Sequence, residues 1–241
     1  MFAGPNGSGK SILKSYLPKE LLGVYLNADE IEQEIRRQGF LDFAAYGVTA
    51  TSDEVLSFFS RSSFLISAGF GNAVQQLHFA NDRLDFTKVE VNSYLASVAS
   101  DFLRQKLLES KVSFTLETVM SHPSKIELLK QAQRAGYRTY LYFIATDDPE
   151  INVSRVYNRV KQGGHPVPED RIAPRYHRSL DLLMEAIQHA NRAYVFDNSG
   201  DNMKHTWLAE ITDGRILELK SDQIPAWFKR SVLNKISPET K

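Results

Sequence analysis

Eight consecutive residues near the start of the chain, Gly4-Pro5-Asn6-Gly7-Ser8-Gly9-Lys10-Ser11, fit the pattern G-x-x-x-x-G-K-[ST] at every defined position. The chemistry such a run supports is phosphate binding. The glycines let backbone N–H groups turn inward around phosphate oxygens, and the helix that follows presents its positive end to them. Lys10 is expected to reach the β- and γ-phosphates of a nucleotide, and the Ser11 hydroxyl to sit on Mg²⁺. A glycine-rich turn without a ligand is the plainer alternative. The strand-like start and the helical segment after the loop favour phosphate.

Two carboxylates come next. Asp29 follows the apolar run Gly23 to Leu26, and Glu117 follows Val112 to Leu116. In open parallel sheets ligands bind beyond the C-terminal ends of the strands, so both acids are expected to look onto a γ-phosphate. One could accept a proton from a substrate hydroxyl, and either could hold a Mg²⁺-bound water. The plainer alternatives are a helix cap for Asp29 and a solvated loop acid for Glu117.

A third group is basic. Arg155 and Arg159 are one helical turn apart, and Arg171, Arg175 and Arg178 are spaced to share a second helical face. Gly163-Gly164-His165-Pro166-Val167-Pro168 interrupts the two. Residues 155–178 therefore read as an Arg-rich lid over a triphosphate, where arginines neutralise charge on the transferred group. Two or three of the five are expected to touch phosphate, the rest pairing with Glu169, Asp170 and Asp181. His165 reads as a loop residue.

The elements that must position these groups follow from apolar spacing. The expected helices are Ser11 to Leu17, Glu30 to Gln38, Val55 to Ala68, Val89 to Leu108, Pro123 to Ala135, Glu150 to Lys161 and most of Glu169 to Asn191. The expected strands are Gly23 to Leu26, Val112 to Leu116, Tyr137 to Ile144 and Ala193 to Phe196, with Leu77 to Phe86 irregular or a small hairpin. Strands alternating with helices predict an α/β fold, a P-loop nucleoside-kinase-like parallel sheet flanked by helices. Residues 1–241 read as one kinase-like domain. Within it, 40–90 form a helical insertion over the substrate, and 205–235 a C-terminal hairpin and helix. The nine phenylalanine and tyrosine residues Phe40, Phe43, Tyr46, Phe58, Phe59, Phe64, Phe70, Phe79 and Phe86 require that insertion to bury much of its surface. Only Met1, Phe2 and Ala3 precede Gly4, so the first strand is expected to be short or to begin upstream.

Composition narrows the function. The 241 residues hold 29 Lys plus Arg against 29 Asp plus Glu, a formal net charge of zero, which gives no electrostatic case for a nucleic-acid partner. Cysteine is absent, which excludes disulfides, thiolate metal sites and thiol catalysis, and suits the cytoplasm. No apolar run is long enough to span a membrane.

The ordered set of motifs resembles the zeta toxin family of P-loop kinases. It comprises Gly4 to Ser11, Asn27-Ala28-Asp29-Glu30, Phe114-Thr115-Leu116-Glu117-Thr118 with Ser121, the Gly163 to Glu169 run before Arg175-Tyr176, and Asp197-Asn198-Ser199. The resemblance implies a kinase using ATP or GTP with Mg²⁺. It implies that Gly4, Pro5, Asn6, Gly7, Ser8, Gly9, Lys10 and Ser11 hold the phosphates, assisted by Arg155 and Arg171. It makes Asp29 the catalytic base and gives substrate contacts to Glu117, Thr118 and Asn27. Arg159 and Arg175 become the γ-phosphate arginines, with Arg171 close to the second position. The acceptor implied is a hydroxyl of a UDP-amino sugar such as UDP-N-acetylglucosamine, and the protein partner implied is an antitoxin. The length of 40–90 departs from the family pattern. A switch ATPase is the competing class, but it would show a Leu-Ser-Gly-Gly-Gln signature, absent here, and adjacent Asp-Glu after a strand, whereas Glu117 stands alone. A nucleotide-binding regulator without kinase activity is a third.

Overall fold

The computed structural model describes residues 1–164, 166–200 and 205–236, so His165 lies outside the described residues. In chain order the elements begin with β1 (Phe2–Ala3), α1 (Lys10–Tyr16), α2 (Lys19–Leu22), β2 (Val24–Asn27), α3 (Ala28–Gln38) and β3 (Phe40–Asp42). They continue with α4 (Ser52–Ser60), α5 (Ser63–Ser67), β4 (His78–Ala80), β5 (Arg83–Asp85), α6 (Ser93–Glu109), β6 (Phe114–Thr118), α7 (Ser124–Arg134) and β7 (Tyr140–Ala145). The last are α8 (Pro149–Lys161), α9 (Glu169–Asp181), α10 (Leu183–Gln188), β8 (Arg192–Asp197), β9 (Thr206–Thr212), β10 (Ile216–Leu219) and α11 (Ala226–Ser231).

The central sheet has seven strands in the order β10-β9-β8-β7-β1-β6-β2. Strand β1 runs parallel to both β6 and β7, and β7 parallel to β8, while β9 and β10 are antiparallel additions at one edge. The chain divides into two compact units, Met1–Leu17 with Glu117–Lys241, and Pro18–Leu116.

In the first unit, two residues suffice for β1 because it is central. Phe2 stands opposite Glu117 on one side and Tyr142 on the other, and Ala3 opposite Thr118 and Phe143. Both residues are buried. Alternate residues of β7 and β8, Leu141, Phe143, Ala193 and Val195, join Leu129, Tyr176, Leu183, Ile187, Trp227 and Phe228 in one core that covers one face of the sheet.

In the second unit, α3 packs on α6, and a three-stranded antiparallel sheet, β3-β5-β4, packs against α3 through β3 and against α4 through β4. The expected small hairpin is β4–β5, turning through Asn81 and Asp82, both with positive φ, at 52° and 56°. The region expected as one helix over 55–68 is two helices. Ser62 accepts from Leu65 N at 3.3 Å and starts α5 afresh after the chain leaves α4. Phe43, Phe59, Phe79 and Phe86 are buried, with Phe43 and Phe58 against Phe102 of α6 at 5.5 and 5.2 Å. Phe64 stays half exposed.

Candidate active site

The chain leaves β1 directly into the glycine-rich loop, at the C-terminal end of a central parallel strand. Gly4 has φ 142°, and a Cβ there would lie 2.1 Å from the Ile144 carbonyl oxygen. Gly9 has φ 94° and precedes α1, and a Cβ there would lie 2.4 Å from Asn198 Nδ2. Both positions demand glycine for space as well as conformation. Lys10 is buried and its ammonium donates to the carbonyls of Gly4 at 3.0 Å and Pro5 at 2.7 Å. The cation is thereby anchored at the loop.

A buried polar scaffold fixes this loop. Asn198 Nδ2 donates to Ser8 O at 2.8 Å, and Asn198 N to Ala145 O at 2.8 Å, so the residue ties the loop to the ends of β7 and β8. Asn152 of α8 donates to Asn6 O at 2.5 Å and bonds Thr146 through its Oδ1. The Tyr176 hydroxyl donates to Thr146 O at 2.7 Å. Burial first, then the nearby Asp147 charge, pushes that phenol up to about 12, so it remains a donor. Asn6 Oδ1 and Ser8 Oγ are shielded from solvent and have no hydrogen-bond partner among the described residues. Unpaired polar atoms of this kind are uncommon in folded proteins and fit a loop built around a polar ligand.

Ser11 and Glu117 are brought together, the Ser11 hydroxyl donating to Glu117 Oε1 at 3.0 Å. Register explains the meeting, because Glu117 pairs with Phe2, two residues before the loop. Hydroxyl and carboxylate oxygens are the hard donors Mg²⁺ prefers. That ion keeps waters and phosphate oxygens as its other ligands, so one or two protein groups suffice. The residues present therefore fit the implied metal, although no cluster of three or more His, Asp or Glu occurs among the described residues. Thr118, the next residue, pairs with Ala3 at the end of β6.

The arginines divide by role. Arg155 is a strap: its guanidinium donates to Asn198 O at 2.7 Å and Gly200 O at 3.0 Å, holding the segment that braces Ser8. Arg159 lies one turn later, half-buried, and a Cβ on Gly164 would meet its Cγ at 2.6 Å. On α9, Arg175 is half-buried beside buried Tyr176, and Arg171 and Arg178 are exposed.

Asp29 and Asn27 belong to the second unit. Asn27, not Asp29, caps α3, its side chain accepting from Asp29 N at 2.9 Å. Asp29 is thus relieved of the capping role that was its plainer reading and is half-buried in the first turn.

Sequence reasoning missed Asn152 and His205. Asn152 could have been found as a polar residue one turn before Val156 on the inward face of α8, an Asn where a second apolar residue was due. His205 gives no local signal, since it reaches the loop only through the fold.

Residues 81–206 match the family model described as zeta toxin. That is just over half the chain and includes Glu117, Asn152, the five arginines and Asn198, while the P-loop and Asp29 lie before it. An uncharacterized protein of Haemophilus influenzae is 26% identical over 175 residues, covering 73% of this chain and 89% of the relative. One chain of the solved structure of AvrRxo1-ORF1:AvrRxo1-ORF2 with sulphate ions superposes with a TM-score of 0.54 at 14% identity, covering 91% of this chain. This chain spans 60% of the length of that solved chain, and the likeness is one of fold. A P-loop kinase-like sheet and a family match across most of its second half place the chain in the zeta toxin family.

Proposed function

We propose that the protein transfers the γ-phosphate of ATP or GTP to a hydroxyl of a small molecule. The observation that carries this reading is the Ser11–Glu117 contact beside an anchored Lys10. It gathers a cation for phosphate and a two-oxygen set for Mg²⁺ at the ends of the paired strands β1 and β6.

The loop amides and Lys10 would hold the β- and γ-phosphates. Ser11 and Glu117 would hold Mg²⁺, which supplies neutralisation of the phosphate charge when bound with nucleotide. Asp29 takes the proton of the attacking hydroxyl, a role its release from capping leaves open. Arg159 and Arg175 stabilise charge on the transferred group, with Arg171 contributing from the exposed side of α9. Arg155 serves the site by holding the loop at 198–200. Thr118 follows Glu117 and Asn27 lies two residues before Asp29, and both take substrate contacts. The acceptor class that the family implies is a UDP-amino sugar, with UDP-N-acetylglucosamine the first compound to try. The solved AvrRxo1-ORF1:AvrRxo1-ORF2 pair supports looking for a protein partner of antitoxin type here as well.

The test is to supply labelled ATP and Mg²⁺ with and without a pool of nucleotide sugars. A product one phosphate heavier supports the kinase. ATP hydrolysis indifferent to the acceptor supports an ATPase instead.

A further inference from the structure

His205 sits against the P-loop yet has no part in the chemistry above. A Cβ on Gly9 would come 3.2 Å from its Nε2. Both of its ring nitrogens are shielded from solvent, beside the Gly9 backbone. The residue as a whole is only half-buried. The shielded nitrogens leave the ring no exposed polar edge. Burial first, then the Arg155 guanidinium, holds its imidazole below the ordinary value, against a smaller opposing effect of the Gly9 backbone.

A second aromatic completes a corner. Tyr16 meets His205 at a centroid distance of 5.8 Å and an angle of 85°, and is 59% exposed. Phe196 meets the same imidazole at 6.5 Å and 70°. Tyr16 ends α1, six residues after Lys10, or about 9 Å along the axis at 1.5 Å per residue. Helical side chains lean toward the N-terminus, so its ring turns back toward the loop. Two rings at right angles thus stand on the flank of α1, within one nucleotide's length of the phosphate loop. A flat, π-faced group attached to those phosphates would lie on one ring and against the edge of the other.

We propose that Tyr16 and His205 form the base-stacking subsite for the purine of the nucleotide whose phosphates the P-loop holds. This rests on the nucleotide-binding reading above. Stacking is tolerant of base identity because every base has a π-face, so the subsite accepts adenine and guanine alike. Arg155, whose guanidinium holds Asn198 and Gly200, acts electrostatically on the same imidazole.

Calorimetric titration with two probes tests this, both with Mg²⁺. ATP carries the base and tripolyphosphate does not. For His205→Ala and for Tyr16→Ala, ATP affinity is expected to fall roughly tenfold while tripolyphosphate affinity is unchanged, stacking on a base being strong enough for that. His205→Phe, which keeps a ring, is expected to restore most of the loss, and the wild type to bind ATP and GTP within a few-fold of each other. Tyr16 is exposed at a helix end, so its variant reports even where a His205 variant misfolds. Equal weakening of both probes would show a structural role and overturn the proposal, as would unchanged ATP binding in both variants. A wild type that binds neither probe would overturn the nucleotide-binding reading itself and the subsite with it. A wild type that binds tripolyphosphate as tightly as ATP would overturn the subsite alone.

Discussion

At the scale of single residues, Lys10 and Asp29 carry the sharpest expectations. Lys10 is the loop's side-chain cation, and its two bonds to Gly4 and Pro5 keep it there. Lys10→Ala is expected to reduce phosphoryl transfer to background while circular dichroism stays native. Near-normal turnover in a folded variant would remove the P-loop from the mechanism. Asp29→Asn is expected to leave ATP affinity within a few-fold and to lower turnover by about 10², the effect of losing a general base. The reverse pattern, weakened ATP binding with intact turnover, would assign Asp29 to the metal. The motif residues were legible because their chemistry is local: eight adjacent positions define the loop, and an acid after an apolar run defines Asp29 and Glu117. The residues that brace the loop were not. Asn198 reaches Ser8 across 190 positions of chain, and Asn152 reaches Asn6 across 146. No spacing rule links such pairs until the sheet order brings them together.

Among elements, residues 40–90 show where pattern reading stops. Their aromatic content demanded burial, and the buried members do form a core, but around a three-stranded sheet as well as helices. Strands of three residues give too few alternations to register a period of two. This core also changes how the region is best probed. Replacing 52–86 wholesale would remove Phe59, Leu65, Phe79 and Leu84, all 5% exposed or less, and so the unit's own interior. We propose that this region, expected from sequence to cover the substrate, sets acceptor choice, and the exposed side of α5 is the better target for testing it. Phe64 of α5 and Phe70, three residues beyond it, flank Tyr94 at 5.0 and 5.3 Å. Phe64→Ser is expected to leave ATP affinity and melting temperature nearly unchanged and to alter the ratio of turnover among candidate acceptors. An identical acceptor profile would separate the region from substrate choice. A pH effect belongs to the same unit. Glu54 closes a capping box on Thr51 and meets Lys106 of α6 at 2.9 Å. The Thr51 backbone N–H first, then the Lys106 ammonium, holds its carboxyl at about 2, below the ordinary 4.5. A depressed carboxylate adds stability above its unfolded value and loses it as pH falls through the folded one. Glu54→Gln is therefore expected to lower the melting temperature at pH 7, the difference closing between pH 4.5 and 2. A difference independent of pH would show that shape, not charge, matters there.

For the whole molecule, the alternation from Val112 onward predicted the sheet well, because Leu141, Phe143, Ala193 and Val195 recur at every second position and bury one face of β7 and β8 under the helices. The first strand was expected to be short or to begin upstream, and its two residues, paired on both sides, deliver the loop to the middle of the sheet. No helix among the described residues is long and apolar enough to cross a membrane. The central claim is that this arrangement moves a phosphate onto a hydroxyl. Mass spectrometry of small molecules after incubation with γ-labelled ATP, Mg²⁺ and UDP-N-acetylglucosamine or a wider nucleotide-sugar pool tests it most directly. The account predicts a labelled acceptor one phosphate heavier, formed by the wild type and absent with Lys10→Ala. Release of labelled inorganic phosphate at the same rate with and without acceptors, and no phosphorylated product, would contradict it.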